Sequence, residues 1–288
     1  MVEISVDPID RVLSALDELS DDHPGLESAV DFYEEVLPLL AHAQPALHGL
    51  ALDVEAARAK LAQGVPLLWG EPPGLAPNVD LFLTLCRLSA ENGNEGAAAL
   101  MRAFLEGDVD LGPLLRLALG QEHGRLAAAA QQWQLAPEAL AALLRFLLAP
   151  ITRAYAAAFA QLFDYQQWRR GYCPVCGDWP VLGQLQGRDK VRTLACGRCG
   201  TAWRHARLRC VWCGNTEKED LGYLYDPDRP RLRADICDRC HGYVKTITTF
   251  DPLQPEMLLV HDLETLALDQ MAAAQGYRRP RRHPLADA

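Results

Sequence analysis

Basic side chains are scarce in the first 165 residues, which hold 9 of them against 23 acidic ones, a balance of −14. So poor a supply of cations excludes a chain coated along its length by nucleic acid. Uninterrupted apolar runs are missing too. The most apolar stretch, LAALLRFLLAPITRAYAAAFA (140–160), carries Arg145 and Arg153 and reads as too polar for a spanning helix. The opening MVEISVDPIDRV has no basic start and no apolar segment, so no secretory signal is expected and the chain reads as cytoplasmic. Arg169-Arg170 lies mid-chain after a helix and is no export signal. No glycine-rich phosphate loop and no Ser–His–Asp arrangement stands out, which speaks against an enzyme. Cysteine is almost absent from residues 1–172, where Cys86 stands alone in LFLTLCRLS and is expected to be a core thiol.

What is present divides the chain. With 49% apolar and 23% charged residues over 288 positions, the composition is that of a folded protein of one to three domains. Residues 1–165 are rich in Ala and Leu, strong helix formers, with apolar positions recurring at three and four. Leu13, Leu16 and Leu19 make one such face; Leu81, Leu85 and Leu88 make another; Leu140, Leu143, Leu144, Leu147 and Leu148 make a third. Breaks fall at His23-Pro24-Gly25, at Gly70–Pro77 and at Ala136-Pro137. Roughly seven or eight helices follow at ordinary lengths. Pro38 is expected to bend one of them, and Pro150 to kink a last helix over 138–170. Beyond it, KVRTLAC, LGYLYD, RLRADIC and YVKTITTF alternate and favour Val, Ile, Thr and Tyr, so they predict short strands. After Pro255 one amphipathic helix is expected, then a polar tail, GYRRPRRHPLADA, that frays.

Eight cysteines fall between 173 and 240 as four Cys-x-x-Cys knuckles: Cys173/Cys176, Cys196/Cys199, Cys210/Cys213 and Cys237/Cys240. The spacing is C-x2-C-x19-C-x2-C, ten residues, then C-x2-C-x23-C-x2-C, one design used twice. Each knuckle offers two thiolates to one metal and a second knuckle completes a tetrahedron. Disulfides are disfavoured because nothing directs the chain to an oxidising compartment. Thiol exchange is disfavoured because such enzymes use one reactive pair, not four. The first two knuckles are paired in one site and the last two in another; interleaving would close longer loops. Four sulfurs suit zinc and mononuclear iron alike, and spacing does not separate them.

Residues 166–250 hold 15 basic and 9 acidic groups, +6. Eight thiolates and two divalent ions together contribute about −4, which leaves the filled module near +2. Arg204, Arg207 and Arg209 therefore compensate sulfur charge as readily as they would bind nucleic acid. Aromatic residues interleaved with them, Trp203, Trp212, Tyr223 and Tyr225, keep a zinc-ribbon nucleic-acid binder as the alternative reading, although small metal modules also cover their cores with aromatics.

YCPVCGDWPV, RTLACGRCGTAWRHARLRCVWCG and ADICDRCHGYVKTI, with HDLETLALDQMAAAQGY (261–277) behind them, resemble the formate dehydrogenase accessory (formation) protein family, FdhE. HPGLESAVDFYEEVLPLLAHAQ (23–44) and VPLL (65–68) are similar more weakly. The resemblance implies an all-α N-terminal domain (1–165), two tandem rubredoxin-like modules (166–206 and 207–250), and a C-terminal helix and tail (251–288). It implies a non-enzymatic cytoplasmic maturation factor for the molybdenum-type catalytic subunit of a respiratory formate dehydrogenase exported by the twin-arginine route. It also implies iron in the cysteine sites, with zinc the alternative, and neither membrane insertion nor nucleic acid as a partner; a homo-oligomer is compatible with it. Asp262 and Glu264, two apart on one helix, are expected to be solvated charges and not an acid–base pair. His42 is expected in a core or capping role, and His241 outside a ligand set that is already complete.

Overall fold

A computed structural model describes residues 7–23, 25–43, 53–70, 76–279, 283 and 285. Pro24, Gln44, Glu71–Leu75 and most of the tail therefore lie outside the described residues. Up to residue 160 the chain forms α1 (Pro8–Asp22), α2 (Glu27–His42), α3 (Val54–Ala62), α4 (Val79–Glu91), α5 (Glu95–Leu105), α6 (Leu111–Leu119), α7 (His123–Gln131) and α8 (Pro137–Ala160). Side chains at the N-termini supply the acceptors that free helix amides need. Asp7 accepts from the Ile9 amide of α1 at 3.1 Å, Asn78 from Leu81 of α4 at 3.0 Å, and Asp110 from Gly112 of α6 at 2.9 Å. The helix runs through both Pro38 and Pro150. In the last turn of α2 the His42 ring donates to the Pro38 carbonyl at 2.7 Å, a side-chain contact to the helix's own C-terminal backbone.

Two compact units interleave along the chain. One comprises the helical residues up to 52 and 68–157 together with His283; the other joins 53–67 to 158–282. The composition boundary at 165 marks a single cut, whereas α3 and the Pro-Leu segment behind it belong with the cysteine-rich part. In the helical unit the expected faces are buried, except that Val12 replaces Leu13 beside Leu16 and Leu19. Cys86 is fully enclosed, and burial pushes its thiol up to about 12. α8 corrects one expectation: by length and composition it is apolar enough to cross a membrane despite its arginines. In this fold it is a core helix, with most of its apolar stretch buried. It also stops ten residues short of the expected end. His283, in the tail expected to fray, is buried and stacks on Trp69 at 4.3 Å.

The second unit is built on a six-stranded sheet of β1 (Pro180–Gln186), β2 (Val191–Cys196), β3 (Ala202–Arg204), β4 (Leu221–Tyr225), β5 (Leu232–Cys237) and β6 (Gly242–Thr249). The order is β3-β2-β1-β6-β5-β4, with every neighbour antiparallel except β1 and β6. β1–β3 and β4–β6 are thus two copies of one antiparallel meander, related by a shift along the sheet and fused through the parallel β1–β6 seam. The helix expected after Pro255 is in fact two, α9 (Leu258–Glu264) and α10 (Leu266–Ala274). Between them the buried Thr265 hydroxyl donates to the carbonyls of His261 (2.6 Å) and Asp262 (3.1 Å), a back-bond that bends helices. Leu258, Leu268 and Ala272 of these helices cover Leu182, Leu232, Ala234, Tyr243 and Ile247 on one sheet face.

Candidate metal centres

Each knuckle closes on itself through the backbone. The Cys173 amide donates to the Asp178 carbonyl and the Gly177 amide to the Cys173 carbonyl; Cys196 with Thr201 and Cys210 with Asn215 repeat this at 2.8–2.9 Å. The residue after the second cysteine turns left-handed, at φ 76° for Gly177 and Gly200 and 72° for Gly214. At the fourth knuckle His241 takes that turn at 52°, a conformation histidine adopts more readily than most residues. Gly242 behind it answers a different need: a Cβ there would lie 2.5 Å from Cδ1 of Trp212.

The eight sulfurs gather into two quartets, Cys173, Cys176, Cys196 and Cys199 in one and Cys210, Cys213, Cys237 and Cys240 in the other. Sulfur–sulfur distances are 3.5 Å for Cys173–Cys199 and Cys176–Cys196, 3.6 Å for Cys210–Cys240 and 3.8 Å for Cys213–Cys237. A tetrahedron with metal–sulfur bonds of about 2.3 Å has edges of about 3.8 Å, so both quartets fit one tetrahedral ion. A disulfide needs about 2.05 Å. The thiols of each quartet compete for protons. Burial and neighbouring sulfurs push Cys173 and Cys176 up, while at Cys196 hydrogen bonds from the other three outweigh burial and draw the thiol down. In the second quartet the hydrogen bond from Cys240 draws Cys210 down to about 5, and the same contact pushes Cys240 up. A divalent cation resolves that competition by binding thiolates in place of protons.

The quartets differ in their surroundings. All four sulfur residues of the first are buried, whereas Cys213 of the second is exposed and Cys240 half-buried. Beside the first, Arg198 (Nε) and Asp178 form a buried ion pair at 3.3 Å. Arg239 and Asn215 hold the same places beside the second, at 3.5 Å, with an amide in place of the carboxylate. Donors to sulfur are the Thr201 hydroxyl, 3.1 Å from Cys199, and the Asn215 amide, 3.9 Å from Cys237. Trp179 and Trp212 meet at 4.6 Å, joining a residue next to the first quartet to one inside the third knuckle.

Two supports of the first quartet were not visible in sequence. The Leu67 amide donates to the Pro174 carbonyl inside the first knuckle at 2.9 Å, and the Tyr172 hydroxyl to the Gly64 carbonyl at 2.7 Å. The VPLL element thus braces a knuckle more than a hundred residues away, a contact no local pattern encodes. Asp262 also departs from its expected role as a solvated charge. It pairs with the fully buried Lys245 (2.7 Å) and with Arg279 (2.9 Å), while Asp269 holds Lys245 from the other side at 2.7 Å. Glu264 contacts His261 at 3.2 Å and Arg231 at 3.5 Å.

Residues 172–207 match the model of the FdhE central domain and residues 208–286 that of the FdhE C-terminal domain. An FdhE homolog of Aquifex aeolicus is 32% identical over 49% of this chain and 51% of its own. One of Shewanella baltica is 35% identical over 41% of this chain and 39% of its own. The matched region thus spans about half or less of these relatives. A homolog of Pseudomonas aeruginosa aligns more fully, 29% identical over 83% of this chain and 92% of its own. The crystal structure of the FdhE protein from Pseudomonas aeruginosa superimposes with a TM-score of 0.62 at 25% identity, over 96% of this chain and 94% of that one. With its two domain models in order over residues 172–286, its sulfur quartets and this fold, the chain is similar to the FdhE proteins.

Proposed function

We propose that this chain is a non-enzymatic accessory factor of the cytoplasm. It binds the catalytic subunit of a respiratory formate dehydrogenase, of the molybdenum type and exported by the twin-arginine route, and assists its assembly. The observation that carries the reading is the pair of tetrahedral sulfur quartets in a chain similar to the FdhE proteins. Cys173, Cys176, Cys196 and Cys199 would hold one ion, and Cys210, Cys213, Cys237 and Cys240 the other. Iron is the metal proposed, with zinc the alternative, since the donor set accepts both. Bound iron supplies a one-electron couple, bound zinc a rigid scaffold. The chain's own residues enclose the first ion and present the second to solvent through Cys213. Thr201 and Asn215 lend hydrogen bonds that stabilise sulfur charge. The non-enzymatic reading is supported by the engagement of Asp262 and Glu264 in ion pairs.

Metal analysis with an optical spectrum of anaerobically purified protein tests the sites. Two irons with thiolate-to-iron absorption are expected; two zincs would replace iron by the alternative, and a metal-free protein would overturn the metal reading. Retention of a formate dehydrogenase catalytic subunit in a pull-down is expected. A nucleic-acid mobility shift without such retention would instead favour the zinc-ribbon reading, for which Tyr223 and Tyr225, exposed near arginines, are the supporting feature.

A further inference from the structure

The sheet repeats by translation, which leaves its two ends unlike. β1 uses its outer edge to take up β6 in parallel, Gly183 opposite Thr246 through Gln186 opposite Thr249. β4 is the corresponding strand of the second meander. Leu194, two residues before Cys196, faces Gly183; Asp235, two before Cys237, faces Tyr223. Tyr223–Tyr225 therefore stand where β1 receives β6, and among the described residues no strand pairs with that edge. Edge strands are ordinarily blunted by lysine, proline or a cover. LGYLY contains neither residue, and Tyr223 and Tyr225 are 56% and 47% exposed.

A cavity of about 200 Å³ opens beside this strand, lined by Gly222, Tyr223, Arg192, Arg207, Arg209 and Arg233. Its one carboxylate, Asp235, is already held by Arg192 (3.0 Å), Arg233 (2.8 Å) and the Thr246 hydroxyl (2.8 Å). Nε of the buried Arg192 has no hydrogen-bond partner, and Arg207 and Arg209 have no anionic partner among the described residues. Filling the adjacent quartet with a divalent ion adds about −2, which still leaves the wall positive. Glu219 and Asp220 precede β4, and Asp226 and Asp228 follow it, so negative charge is repelled from the strand's ends.

We propose that β4 is a docking edge for an extended segment of a partner protein, which adds as a seventh strand parallel to β4 and places one carboxylate among these arginines. Opposite Tyr223 the segment needs a small side chain, because β1 carries glycine at the matching position, where a Cβ would lie 2.8 Å from Thr246 Oγ1. A second copy of this chain is the poorer occupant: of its two free edges, β3 is three residues long and basic at Arg204, and a second β4 brings its own arginines and no spare carboxylate. The inference stands whether or not the partner is a formate dehydrogenase subunit.

Fluorescence anisotropy with the metal-loaded full chain and a labelled serine/threonine peptide bearing one central glutamate tests it. The glutamate peptide is expected to bind about tenfold or more tightly than its glutamine counterpart, and alternate N-methylation of its backbone to abolish binding. Arg207→Gln, a change to an exposed side chain, should weaken binding several-fold with metal content unchanged. Equal binding of the glutamate and glutamine peptides overturns the proposal, as does survival of binding after N-methylation or failure of the glutamate peptide to bind. Head-to-tail growth of the free chain with concentration in sedimentation would give the edge to a second copy, and equally overturn it.

Discussion

Arg198 and Asp178 lie against the first sulfur quartet almost out of contact with water, whereas Arg239 at the matching position is exposed and faces the neutral Asn215. Removing one member of a buried ion pair strands the other, at a cost of about 3–5 kcal/mol; losing an exposed partner of an amide costs little. Arg198→Met is therefore expected to loosen the first metal and lower unfolding free energy by about 3 kcal/mol, while Arg239→Met changes it by about 0.5 kcal/mol or less. Chelator competition and denaturant melts of the two variants check this, and equal effects would refute the distinction. The eight cysteines could be read from the chain because a knuckle is a local object of four residues. The Asp178–Arg198 pair could not, because its members are twenty positions apart and meet only when the first two knuckles come together in the fold.

Among the elements, β2, β4, β5 and β6 were legible as alternating runs, and β1 and β3 were not. β1 opens on Pro180 and contains Gly183, residues that weaken a strand on local grounds; pairing on both sides makes it one. The C-terminal helices present the converse case, where a strong helical pattern is broken at Thr265 by a hydroxyl that bonds its own preceding turn. Their acids were visible, but not their purpose, since Lys245 lies in β6 and is fully enclosed only by folding. Asp269→Asn is expected to lower unfolding free energy by about 3 kcal/mol, because a buried ammonium then keeps one carboxylate of two. At Asp262 burial is outweighed by Arg279 and Lys245, and the carboxyl is held below its ordinary value. Its contribution is complete above the unfolded pKa of about 3.9 and is lost as pH falls through the lower folded value. Asp262→Asn should accordingly flatten the loss of stability below about pH 4 while lowering stability at neutral pH, as read from urea melts across pH.

For the whole molecule the two metal sites are expected to empty in sequence. A thiol-competing chelator should remove one equivalent of metal quickly from the quartet that exposes Cys213 and one slowly from the enclosed quartet; release of both at one rate would contradict this. Complete removal should unfold the sheet unit, whose small core depends on its sulfur clusters, and leave the helical signal of the other unit. Circular dichroism and tryptophan fluorescence separate the two.

Residue type and short spacing determined by themselves the helical first part, four of the strands, the eight sulfur donors and the uneven charge, because each depends on neighbours within a few positions. Tertiary structure alone decided that residues 53–67 join the distant cysteine unit, that two meanders fuse through a parallel seam, and that one quartet is enclosed and the other open. Those outcomes rest on contacts between residues far apart in sequence. Burial and strand pairing select such contacts from the whole chain at once, so no local window contains them.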